Sequence, residues 1–139
     1  MKRDLTVLFM SIMLLFTVNA MAQQNKTTDG LATKKGMIKV TILYPGGEGK
    51  KFDMDYYLNK HIPMVKTLLA GSLKLTAIDK GIAGGAPGAP ATYSVLCYLY
   101  FDSVSAYQNA MAVNGSKIRA DVANYTNIPP VVQISEVVE

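Results

Sequence analysis

From Met37 onward the chain alternates between apolar and polar positions. Ile38, Val40, Ile42 and Tyr44 take every second place, with Lys39, Thr41 and Leu43 between them. A period of two, rich in β-branched residues, predicts a strand over 37–44. Pro45-Gly46-Gly47-Glu48-Gly49 closes that strand in a loop. Asp53 then offers a helix N-cap, and Asp55 puts a carboxylate in the first turn, where the helix dipole favours it. The helix is expected to run to about Leu69, with Gly71 as its stop. Pro63 interrupts it. Its ring clashes with the carbonyl of Asn59, so a kink or restart is expected near His61.

The rest of the chain continues in the same manner. Leu73 to Lys80 reads as a second strand, Gly81 to Pro90 as a loop, and Thr92 to Tyr100 as a third strand rich in Tyr, Val and Leu. Asp102 or Ser103 caps a second helix, which is expected to reach Met111 and stop at Asn114-Gly115. A further short helix is expected over 116–123. A last strand follows over 131–138, with Pro129 and Pro130 before it rather than inside it.

The predicted order is β-α-β-β-α-β. It corresponds to an α+β, ferredoxin-like domain: a four-stranded antiparallel sheet with both helices on one face. The other sheet face is then uncovered. Strand three carries Tyr93, Val95, Cys97 and Leu99 on one side and Leu96, Tyr98 and Tyr100 on the other. Apolar residues on both sides imply that both faces are buried, which one copy cannot achieve. A homodimer that closes one sheet against another can.

Before Met37 the pattern is different. Lys2 and Arg3 precede an almost unbroken apolar run from Leu5 to Val18, and Ala20-Met21-Ala22 fits a small-x-small cleavage site. Residues 1–22 are therefore expected to be a signal peptide. The run is short for a membrane span; an uncleaved anchor is the alternative. Residues 23–36 are polar and read as a flexible tether, leaving 37–139 as one domain. Export to a bacterial periplasm, or secretion, follows, with no stable membrane anchor once the signal is removed.

Composition narrows the chemistry. The net charge is +4; Lys2, Arg3 and Asp4 together carry +1 and leave with the signal, so the mature chain is mildly basic. The basic residues are scattered, without the aromatic interleaving of a nucleic-acid groove, so no nucleic-acid partner is expected. One cysteine, Cys97, makes no internal disulfide and sits in an alternating apolar segment, as a buried structural thiol would. With one His and one Cys there is no metal constellation of the usual N/S type. The glycine-rich stretch from Gly81 to Gly88 joins two strands and carries proline, unlike a dinucleotide fingerprint, and no Walker lysine follows it. No cofactor is called for.

Five segments carry a resemblance. They are MIKVTILYP, FDMDYYLNKHIPMV, DKGIAGGAPGAPATY, FDSVSAYQNAM and NYTNIPPVVQISEVVE, in order from Met37 to the C-terminus. Together they resemble the EthD family, which belongs to the dimeric α+β barrel group. The resemblance implies a small-molecule-binding protein of xenobiotic or catabolic degradation, often labelled an oxidoreductase or reductase. A signal peptide departs from the family's cytoplasmic pattern.

His61 is the only histidine and matches the family's histidine in the Tyr-to-His-x-Pro motif. Histidine is the side-chain type best suited to proton transfer near neutral pH, so His61 is the candidate general base or acid, with Tyr57 or Tyr125 supplying a phenolic hydrogen bond. Tyr56 and Tyr57 point about 100° apart on a helix, so at most one joins His61. Asp79 or Asp121 could orient the imidazole. Met64, Tyr98 and Asn127 are expected to contact a hydrophobic or aromatic ligand. Two functions stand side by side: an enzyme of oxidoreduction or cofactor-independent proton transfer, and a non-enzymatic carrier or accessory protein using the same cavity. A third reading is a structural module whose strands fill the lumen.

Overall fold

The structure is a computed structural model and describes residues 32–139. The signal segment over 1–22, and the tether as far as residue 31, lie outside the described residues. The elements are β1 (Ile38–Pro45), α1 (Met54–Tyr56), a π-helical stretch (Tyr57–His61), α2 (Ile62–Leu68), β2 (Leu73–Lys80), β3 (Tyr93–Phe101), α3 (Val104–Ala120), a 3-10 turn (Val122–Asn124) and β4 (Val131–Glu136). The strands form one antiparallel sheet in the order β2-β3-β1-β4. This is the ferredoxin-like α+β arrangement that the hydrophobic pattern predicts.

Strand alternation sorts the side chains. Val95, Cys97, Leu99 and Phe101 of β3, with Val40 and Tyr44 of β1, are buried against the helices. Ile62, Val65 and Leu69 of α2 and its junction, together with Ile128, complete that core. Leu96, Tyr98 and Tyr100 point the other way, beside Leu43 and Thr41 across the β1–β3 ladder. Among the described residues no helix covers that second face.

The first helix is interrupted near His61, as expected. It passes through a π-helical stretch in which Ile62 N–H bonds the carbonyl of Tyr57. Pro63 has no N–H to give to Asn59 and its ring would strike that carbonyl, so the widened turn accommodates it. The second helix does not stop at Asn114-Gly115; α3 runs unbroken to Ala120. Asn114 stays helical by donating from Nδ2 to the carbonyl of Ala110, 3.1 Å away. Gly115 is buried, its missing side chain used for packing and not for a turn. Of the two proposed caps, Ser103 acts, accepting from Ala106 N–H at 3.1 Å, while Asp102 pairs with Lys74. Gly71 lies past the first helix but is not in the left-handed region; Ser72 and Leu73 N–H close the end onto Leu69.

Candidate active site

Asp53 starts the site. Its carboxylate accepts from Tyr56 N–H at 2.9 Å, fixing where α1 begins. The π-helical stretch then brings Tyr57 and His61 onto the same inward face, ring against ring, with centroids 5.3 Å apart and planes 16° from parallel. Both are buried, His61 to 4% exposure.

A second segment meets them from the far end of the domain. Asp121 follows α3, and Tyr125 follows the 3-10 turn. The loop around Tyr125 is stapled to the loop before α1. Asp53 N–H donates to Tyr125 O at 2.7 Å, Thr126 Oγ1 to Lys51 O at 2.7 Å, and Lys51 N–H to Asn127 Oδ1 at 2.8 Å. Asn127 also donates to Gly49 O at 3.0 Å. These bonds set Tyr125 against His61, with ring centroids 4.5 Å apart.

The polar network runs in one line. His61 Nδ1 lies 2.8 Å from Asp121 Oδ2. The other carboxylate oxygen of Asp121 accepts from Tyr56 OH at 2.9 Å and Asn124 Nδ2 at 2.8 Å. Beyond the imidazole, Nε2 is 3.4 Å from Tyr125 OH, which is 2.8 Å from Tyr44 OH. With Asp121 ionised, Nδ1 carries the proton of the neutral ring, and Nε2 is left as an acceptor. Burial raises the Asp121 pKa, but bonds from Asn124, His61 and Tyr56 outweigh it and hold the carboxyl below its usual value. Burial first, then neighbouring groups, pushes the Tyr57 and Tyr125 phenols far up, and burial also raises Tyr44. These phenols stay protonated and serve as donors. Burial pushes the Cys97 thiol up to about 11, against an opposing bond to Tyr57, so it is no thiolate nucleophile at neutral pH.

His61, Tyr44, Tyr57 and Tyr125, the buried members of the network, line a cavity of about 340 Å³ between the sheet and the helices. Val40, Ile42, Leu99, Ile118 and Val122 are among its walls. The exposed lining residues are Arg119, Pro130 and Val132, which places the mouth between the end of α3 and β4. Among the described residues no cluster of His, Cys, Asp and Glu is suited to a metal ion.

A model of the EthD domain matches residues 47–129. The chain belongs to the EthD family. It is similar to the crystal structure of an EthD-like protein from Ralstonia eutropha JMP134, with 45% identity and a TM-score of 0.72, covering 76% of this chain and 96% of that one. An ethyl tert-butyl ether degradation (EthD) family protein from Bacillus halodurans C-125 shares the fold at 23% identity and a TM-score of 0.57, over 73% of this chain and 98% of the other. No curated protein sequence matches.

Of the residues singled out in the sequence, this EthD domain brings His61, Tyr57 and Tyr125 to the cavity. Asp121, one of two proposed orienting carboxylates, contacts His61; Asp79 is exposed on β2. The three expected ligand contacts lie elsewhere. Tyr98 is on the helix-free sheet face, because it alternates with Cys97 and Leu99. Asn127 is spent on the loop staple, and Met64 is not among the residues that line the cavity. Sequence reasoning missed Tyr44 and Tyr56. Tyr44 continues the inward alternation of β1, which was the available signal. Nothing in the sequence links Tyr56 to Asp121, 65 positions away.

Proposed function

We propose that this EthD protein is a cofactor-independent proton-transfer enzyme acting on a hydrophobic or aromatic small molecule. The observation that carries the proposal is His61, a lining residue of a mostly apolar cavity, held at Nδ1 by Asp121 with Nε2 left on the side of Tyr125. His61 Nε2 takes a proton from an activated C–H of the ligand, and the electron pair moves onto the adjacent carbonyl oxygen. Asp121 stabilises the imidazolium. Tyr125, kept neutral by burial, offers its hydroxyl to the developing oxyanion, with Tyr44 behind it. Return of the proton to another carbon completes an isomerisation without any oxidant.

The test is hydrogen–deuterium exchange, followed by NMR, of a panel of enolisable aryl ketones incubated with the protein in D₂O. Catalysed exchange is expected, and His61→Ala should lower its rate by about 10²–10⁴-fold, the range of a lost general base. Equal rates in a folded His61→Ala variant would remove the role. Saturable uptake with no exchange would assign the carrier function instead.

Two further features belong to the proposal. The basic n-region, apolar run and Ala20-Met21-Ala22 support export of the mature chain to the periplasm. Cell fractionation should recover protein beginning near Gln23; full-length protein in the cytoplasm would refute this. The apolar sheet face supports a homodimer.

A further inference from the structure

Among the described residues Arg119 is the one Lys or Arg in the cavity wall, and it stands at the mouth. Among the described residues the ion pairs are His61–Asp121 and Lys74–Asp102; Arg119 is in neither. Asp121 is two residues away, but its oxygens are occupied by His61, Tyr56 and Asn124. The guanidinium folds back along α3 onto Gly115. A Cβ at 115 would stand 2.8 Å from Arg119 Nη1 and 3.1 Å from Met111 Cε. Met111 lines the same cavity. The only buried residue of α3 is thus a glycine that makes room for a cation at the cavity's edge.

We infer that Arg119 binds a carboxylate, so that the ligand of this site is an apolar acid. This rests on the cavity being a binding site. Its apolar body would fill the volume between Ile42, Leu99 and Ile118, and its carboxylate would meet the guanidinium at the mouth. A planar fork of N–H donors suits a carboxylate bound in bidentate fashion. A phosphate dianion calls for more positive charge than one arginine supplies. Arg119 then selects and anchors the ligand, and the buried His61 and tyrosines line the same cavity.

The experiment is calorimetric titration of the mature protein with a matched pair of probes, 2-naphthoate and 2-naphthamide. The wild type should bind the carboxylate about tenfold more tightly than the amide, in keeping with one charge-assisted contact. Arg119→Gln should erase that preference, while Arg119→Lys keeps part of it. Gly115→Ala should act in the same direction by displacing the guanidinium. The carboxylate's advantage should also shrink as salt is raised, because the contact is at an open mouth. Equal binding of the two probes by the wild type, or naphthoate affinity unmoved by Arg119→Gln, overturns the inference while leaving the cavity reading intact. Failure of both probes to bind overturns both.

Discussion

Asp121 decides which nitrogen of His61 is available. Its Oδ2 at 2.8 Å holds the Nδ1 proton, so the lone pair lies on Nε2 beside Tyr125. Asp121→Asn presents an amide that can donate as well as accept, so the imidazole no longer has a single preferred tautomer. Histidine ¹⁵N NMR should then show a mixture where the wild type shows the Nδ1–H form. The same carboxylate marks the acid limb of stability. Its folded pKa lies below the ordinary 3.8, so its contribution is complete above that value and is lost as pH falls through the folded one. Urea midpoints measured between pH 5 and 2 should fall less steeply in Asp121→Asn than in the wild type.

Among the elements, the β2–β3 connection begins at a close backbone approach. Gly81 donates its N–H to Ser94 O at 2.9 Å, and a Cβ there would collide with Tyr93 O. The loop's glycine is therefore a packing requirement and not a ligand cradle. Gly81→Ala must push two backbone segments apart and should cost about 1–3 kcal/mol, read as a lower urea midpoint with an unchanged m-value. The π-helical stretch has the opposite character. It yields locally to Pro63 and, in doing so, places Tyr57 and His61 in one stack.

For the whole molecule, the helix-free sheet face carries Leu43, Leu96, Tyr98 and Tyr100, and Lys39 lies over the Tyr98 ring. An apolar face of this kind is what the proposed homodimer would bury. A second copy applied to that face leaves the cavity on the helix side open. Sedimentation should give a dimer at micromolar concentration, and Leu96→Asp should yield a folded monomer. A wild-type monomer would refute the arrangement. Tyr98, expected to touch ligand, belongs by position to this face, which makes it a candidate for dimer packing.

The sequence by itself determined the element order, the sheet's two faces and the residue proposed here as general base. Alternation and caps are local signals, and a single histidine needs no geometry to be noticed. It misplaced the end of α3, because glycine reads as a stop in one dimension and as close packing in three. Only the tertiary structure decided which carboxylate meets His61, since Asp121 and His61 are 60 residues apart. It also decided that Tyr44 joins Tyr125, that Asn127 serves the scaffold, and that Arg119 stands at the mouth. Those contacts arise where distant segments converge on one cavity, and no spacing along the chain encodes them.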